Sequence, residues 1–327
     1  MVSSANVLGI GVTTNDPITP PDFTTNFQPQ VQSWLSNNPT LRPLYVILFQ
    51  NVPQEVDNNT NYEDTQRGNP YPSVQYQLHY STSPGWYPFV TAINMNGEVP
   101  TSTNFNSSDG TNDCIAYINK LTNMAGTTPT LFISAFAHGY GNTNWYFDWA
   151  NPPYPITNIA FAEYATNAVY GVTNANPTAP IIGTVADNYN TLATNVAGYF
   201  TPGWDGGLGG NYISFATNGQ VQFVGHSGWY VIDTIQSFDG QRTTFQASYL
   251  TFFASNSFGG TNYSNTPVGA VTTVNEPTVA GKPDSYTYYG LWASGKSFAT
   301  CAWNAQMVGN GSIGLYFQAV GDPFVRR

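Results

Sequence analysis

Leu44-Tyr45-Val46-Ile47-Leu48-Phe49-Gln50 is a nearly unbroken apolar run, set between Pro43 and Pro53. A strand wetted on one face alternates polar and apolar residues. A run without alternation is what a strand buried on both faces of a parallel sheet requires. Residues 131–137 (LFISAFA) repeat the pattern. Outward from these two, apolar runs alternate with segments of helical period. Residues 6–12 (NVLGIGV), 221–225 (VQFVG), 249–254 (YLTFFA), 268–274 (VGAVTTV) and 315–320 (LYFQAV) read as strands. Phe27, Val31, Trp34 and Leu35 fall at helical spacing, with Asn26 placed to cap. Asp113 is set to cap a helix carrying Ile115, Ile118 and Leu121 and closed by Gly126. Helices are also predicted over 159–170, over 286–293 before Gly295, and over 298–306 behind Ser297.

This alternation predicts an α/β protein of three layers, with a mostly parallel sheet and helices on both faces. Long Asn/Gly/Pro-rich loops fall at 53–72, 96–112, 173–180 and 201–210. None has linker composition, so 1–327 reads as one α/β domain, with 1–200 and 201–327 as two sub-halves of one sheet.

Of the 327 residues 41% are hydrophobic and 15% aromatic, but only 8% are charged, about a third of the usual roughly 25%. Eight Lys+Arg stand against 18 Asp+Glu, a net charge of −10. Eight scattered cations cannot form the basic stripe of a nucleic-acid binder. No apolar run approaches the roughly 18 residues that span a bilayer. Polarity comes instead from Asn, Thr, Ser, Gln and Tyr, a composition associated with secreted bacterial proteins, so an extracellular or cell-surface location is expected. Residues 1–6 lack the basic start and apolar stretch of a signal peptide. Two cysteines, Cys114 and Cys301, are too few for a disulfide scaffold. Both read as structural, with their pairing open.

Three histidines are present. His138 and His226 each follow a predicted strand; His79 has no neighbouring motif. Gly225-His226-Ser227-Gly228-Trp229 lacks the closing glycine of G-x-S-x-G, and no histidine follows Ser227, which excludes an α/β-hydrolase elbow. Asn275-Glu276-Pro277 has the look of a barrel-glycosidase acid/base, but no glutamate follows it to act as nucleophile. Asp109-Gly110-Thr111-Asn112-Asp113 resembles part of a calcium loop without the closing glutamate. Calcium is the one metal the sequence raises, and no cofactor is predicted.

A distributed constellation is the best candidate. Ligands of such sheets sit outside the carboxyl ends of the strands. If 221–225, 249–254 and 268–274 are neighbouring parallel strands, His226, the Ser255–Ser257 turn and Glu276 share one rim. His226 would then be a general base and Ser257 or Ser255 the nucleophile of an acyl transfer. Amides near Gly228 or Gly259 would hold the oxyanion, and Trp229 and Glu276 would shape the pocket.

Val224-Gly225-His226, then residues 255–260 (SNSFGG), then Val320-Gly321-Asp322-Pro323 resemble the gingipain-like, caspase-fold cysteine peptidases, over residues 221–327. A second resemblance, covering most of the chain, is to an uncharacterised group of secreted bacterial proteins of related fold. It rests on 44–53 (LYVILFQNVP), 88–94 (PFVTAIN), 145–148 (WYFD), Gly228-Trp229-Tyr230, 269–277 (GAVTTVNEP) and 295–302 (GKSFATCA). Both imply a caspase-like layered fold. That group carries a further strand and helix ahead of the stretch matching 6–12, so this chain is expected to be N-terminally trimmed. The peptidases place a cysteine where this chain has Ser255, Asn256 and Ser257. A histidine suited to thiolate chemistry activates a serine hydroxyl poorly. Three functions follow as expectations. The first is a non-catalytic or weakly catalytic secreted or surface protein that binds a peptide, glycan or protein through exposed aromatics. The second is a peptidase-type hydrolase using His226 with Ser257 or Ser255. The third is a subunit of a self-assembling layer or filament.

Overall fold

Among the described residues ten strands form the framework: β1 (Tyr45–Leu48), β2 (Phe89–Ala92), β3 (Leu131–Phe136), β4 (Ile181–Val185), β5 (Thr191–Thr194), β6 (Val196–Thr201), β7 (Gln222–Val224), β8 (Val231–Thr234), β9 (Gly269–Thr273) and β10 (Phe317–Gly321). The computed structural model describes residues 4–13, 15–40, 43–49, 52–57, 72–81, 87–93, 107–124, 126–136, 159–185, 191–201, 215–217, 219, 221–225, 227–234, 238–242, 249–275, 282–307 and 316–327. Eight strands make one sheet in the order β1-β2-β10-β9-β8-β6-β3-β4, and β5 pairs with β7 in a separate ribbon. Every junction of the large sheet is parallel except β9/β10, where Phe317 pairs with Thr273 and Gly321 with Gly269. β4-β3-β6-β8-β9 is therefore a five-stranded parallel body, in the doubly wound order 2-1-3-4-5. The strands of this sheet that follow residue 201 (β8, β9 and β10) sit in its middle, flanked on both sides by strands from the first 201 residues.

The α-helices of four or more residues among the described residues are α1 (Gln28–Asn37), α2 (Val74–Ser81), α3 (Ser107–Met124), α4 (Ile159–Ala175), α5 (Tyr249–Phe252), α6 (Ser285–Ala293) and α7 (Phe298–Met307). Both faces of the parallel body are covered. Gly198 meets Tyr289 of α6, and Phe200 shares a small apolar void with Ala168 and Val172 of α4. Tyr199, between them on the strand, contacts Phe223 and Phe258 on the opposite face. α4 and α6 cross closely because Gly171 has no side chain; a Cβ there would meet the Tyr286 carbonyl at 2.1 Å. Gly321 (φ 142°) is needed for the same reason, since a Cβ would lie 2.4 Å from the Val268 carbonyl. Gly321 of the Gly-Asp-Pro end is thus a packing requirement at the β9/β10 junction.

Several expectations change. The run at residues 44–50 does form β1, but at the edge of the sheet. Tyr45, Val46 and Ile47 are half-buried, and Leu44 and Phe49 are exposed. Residues 6–12 are not a strand: Ser4–Asn6 is a single helical turn and residues 7–13 have no regular structure. Residues 249–254 open with the helical turn α5, because Tyr249, Leu250 and Phe252 all turn into the aromatic core. α3 begins at Ser107, so Asp113 is interior to the helix and does not cap it. Residues 159–170, 268–274, 286–293, 298–306 and 315–320 match α4, β9, α6, α7 and β10 within a few residues. Asp284 caps α6 through the amides of Tyr286 and Thr287. No described helix is long and apolar enough to cross a membrane.

Candidate functional site

In a parallel body the carboxyl ends of the strands form the face where chemistry is placed. Here β6 ends at Thr201, β8 at Thr234 and β9 at Thr273, with Thr201 and Thr234 paired in register. The described residues around these ends form a polar floor. Asp239 joins two strand ends: its Oδ2 accepts the Thr234 hydroxyl at 2.6 Å and its Oδ1 accepts the Thr273 amide at 2.7 Å. Phe238, just before it, holds a left-handed φ of 59°, the kind of local strain that a surrounding network must fix. Lys282 Nζ donates to Thr273 Oγ1 at 3.1 Å, and Ser285, opening α6, donates to Asp233 Oδ2 at 2.9 Å. Asp233, Asp239, Lys282 and Ser285 are all buried. Burial pushes the Asp239 carboxyl up to about 6, against the opposing pull of Lys282 and of the Thr234 and Thr273 donors. Burial also raises Asp233, with Ser285 and Lys282 opposing.

A second polar network adjoins this floor through the 238–242 turn. Gln241 Nε2 donates to both Glu55 oxygens, at 3.1 and 2.9 Å, and to the Val274 carbonyl at 2.8 Å. Asp16 Oδ1 accepts the amides of Gln54 and Glu55, and its Oδ2 pairs with Arg242 Nε at 3.3 Å. Three buried glutamines complete the join. Gln75 and Gln318 both donate to Gln54 Oε1, and Gln318 Oε1 accepts the Thr272 hydroxyl. Burial, with Asp16 and Asp57 adding like charge, pushes Glu55 up to about 8 against the Gln241 hydrogen bond.

The residues singled out from the sequence are distributed differently. Ser255 and Ser257 lie ahead of β9, on its amino side, where the Val268 amide bonds the Tyr230 carbonyl at the entrance to β8. Asn275, the last described residue before Glu276, lies at the other end of β9, a strand of five residues or roughly 16 Å. The shared rim required 249–254 to be a strand, and α5 removes that requirement's basis. Ser257 is 1% exposed, and its Oγ has no hydrogen-bond partner among the described residues. The next residue, Phe258, stacks on Phe223 at 5.3 Å and meets Tyr230 and Phe215 edge-on. Gly259 packs on Gln222, which begins β7. Ser255 is half-buried.

β7 itself belongs to the small ribbon, so the strand ahead of His226 is no neighbour of β9 in the large sheet. Gly228 is closed against the Ser264 carbonyl, and Trp229 Nε1 donates to the Arg326 carbonyl at 2.7 Å. His226, Glu276 and His138 lie outside the described residues. Residues 109–113 lie within α3, so their backbone is helical and does not form a calcium loop. Among the described residues no three His, Cys, Asp or Glu are placed to hold a metal. Cys301 is a free, buried thiol with its pKa driven up by burial.

The polar floor escaped the sequence reading, although a signal for it existed. In a chain with so few charges, Asp233 inside the strand VIDT and Lys282 beside the Asp284 cap are conspicuous. Their partners come from segments far apart in sequence, so no local spacing marks the group. No family model, no curated protein and no solved structure matches the chain.

Proposed function

We propose that this protein is a non-catalytic, secreted or surface α/β protein with a binding or structural role, on a scaffold layered like the caspase-type peptidases. The burial of Ser257 carries this reading. Its side chain is buried, next in the chain to Phe258, whose ring stacks on Phe223, on the amino side of β9; a hydroxyl so buried is closed to a substrate carbonyl, which must come within roughly 3 Å for nucleophilic attack. The parallel body closed by antiparallel β10 supports the caspase-like layering. The placement of the segments that carry the peptidase likeness supports the loss of its chemistry. Exposed aromatics, among them Tyr87, Tyr170 and Phe324, supply uncharged faces suited to a glycan, a peptide or another protein.

The reading is tested by treating the native protein with a fluorophosphonate and, separately, with iodoacetamide, and following intact mass. No adduct on Ser255 or Ser257 is expected. Stoichiometric fluorophosphonate labelling of either serine, abolished in His226→Ala, would establish the hydrolase instead.

A further inference from the structure

Glu55 sits where three pieces of the chain are tied together. The Ile18 amide bonds the Glu55 carbonyl at 2.8 Å, and the Asp57 amide returns to the Ile18 carbonyl at 2.8 Å. The Val56 amide bonds the Pro72 carbonyl at 2.7 Å, and the Val74 amide bonds the Gln54 carbonyl at 3.0 Å. These backbone links join 16–18, 54–57 and 72–74. The side chains of Gln54, Gln75 and Ser73 then fasten the group to β10, through Gln318 Nε2 and through the backbone of Phe317 and Ala319. The Glu55 side chain bridges to the far side, the 238–242 turn that carries Asp239.

That bridge is electrostatically exposed to its own ionisation. Among the described residues one side-chain amide, that of Gln241, serves both carboxyl oxygens, and its two N–H donors are shared with the Val274 carbonyl. Among the described residues the charged groups acting on Glu55 are Asp16 and Asp57, both negative. Arg242, the neighbouring cation, is paired to Asp16. The side chain is 7% exposed, so water does little to screen an added charge.

We propose that Glu55 is a proton-operated latch: protonated, it holds residues 16–18 and 54–57 against the 238–242 turn, and ionised, it loosens them and frees that turn at the carboxyl rim. A carboxyl that is neutral in the closed state and ionised when released makes opening easier as pH rises. The effect accumulates from the ordinary carboxylate range up to the closed-state value of about 8 and is flat beyond it. The latch is independent of whether the protein binds or hydrolyses anything.

Amide hydrogen exchange on the full chain between pH 5 and pH 8, corrected for intrinsic rates, tests this. The Ile18, Val56 and Asp57 amides should lose protection roughly three- to tenfold per pH unit relative to the Ile232 amide of β8, the upper figure being one proton per opening. In Glu55→Gln the ratio should stay within about twofold. A flat ratio in the wild type, or an equal slope in Glu55→Gln, overturns the latch. Should Glu55→Gln fail to fold, the exposed Asp57→Asn change serves. Removing one like charge should leave the segment severalfold better protected than wild type at pH 8, and no difference there is equally fatal.

Discussion

Asp239 and Glu55 are both buried carboxyls, and both depend on the same turn, yet they are provided for in opposite ways. Asp239 is the more deeply buried, at 0% exposure against 7%. It nevertheless rises less, to about 6 against about 8. Burial raises both, and the difference lies in what each carboxyl faces. Asp239 receives a hydroxyl and a backbone amide at under 2.8 Å and has Lys282 nearby. Glu55 receives one shared amide and faces two other carboxylates. Depth of burial alone does not reveal which acid serves as a permanent fixture and which as a proton-sensitive one; the donors and neighbouring charges do.

The sharpest break of this comparison is Asp239→Ala. It strips the Thr234 hydroxyl and Thr273 amide of their acceptor and removes one of the two carboxylates near Lys282. The cost should be about 3–5 kcal/mol, the range for disrupting a buried charged network, measured by urea unfolding at pH 7. A loss under about 1 kcal/mol would mean that Asp239 is no fixture, and the contrast with Glu55 would fail.

Next comes Glu55→Gln, which should stabilise. Because the folded pKa lies above the unfolded one, the folded state holds the extra proton. Wild-type stability therefore falls as pH rises from about 4.5 toward 8, then levels. Asp239 adds a slope of the same sign, but only below about pH 6. Thermal or urea unfolding at pH 8 should find Glu55→Gln more stable than wild type by on the order of 1–3 kcal/mol, with the two converging at pH 5. A variant less stable than wild type at pH 8 would show that the Gln241 bond outweighs the desolvation of the carboxylate.

His79 supplies the opposite sign and a smaller effect. Its Nδ1–H donates to the Pro88 carbonyl at 2.7 Å and its ring lies flat on Trp303 at 4.1 Å. Nε2 is buried with no described partner, and burial lowers the ring's pKa. A depressed histidine costs the folded state stability as pH falls below about 6.5 toward the folded value. His79→Phe keeps the ring contact and removes the titration. Relative to wild type it should recover about 1 kcal/mol between pH 7 and pH 5.5. An unchanged acid limb would show that the ring takes up its proton at little cost.

How far the sequence foretold this molecule depends on whether the signal was local. The apolar runs behind β3, β9 and β10 and the cap Ser297 describe their own surroundings, and they read correctly. The run at residues 44–50 also formed a strand, but its sequence does not say that β1 would be left at an edge. Residues 249–254 are aromatic-rich and mimic a strand. Their burial against Phe215 and the 257–259 turn decides for a helical turn, as tertiary context routinely does for β propensity. Residues 191–201 hold two strands in different sheets because Asn195 alone takes a left-handed φ of 61°, which asparagine tolerates better than most residues. The strand expected at 249–254, on which the proposed catalytic rim rested, is a helical turn, while His226 and Glu276 lie outside the described residues. The polar floor was missed because crossovers, not spacing, bring Asp233, Asp239 and Lys282 together, with Glu55 in the adjoining network.

Ser257 closes the series with the smallest expected effect. Its hydroxyl is buried and forms no hydrogen bond with any described residue, so the folded state already bears the cost of desolvating it. Replacing it with a methyl group removes an unsatisfied donor and leaves the Phe258 and Phe223 stack in place. Ser257→Ala should fall within about 0.5 kcal/mol of wild type or stabilise slightly. A variant this quiet is the cleanest probe of function, since any change in binding or hydrolysis could not be blamed on the fold. A loss above about 2 kcal/mol would instead reveal a strong buried partner for the hydroxyl. Ser257 would then join Asp239 as a fixed, fully bonded group, and the argument from its isolation would fall.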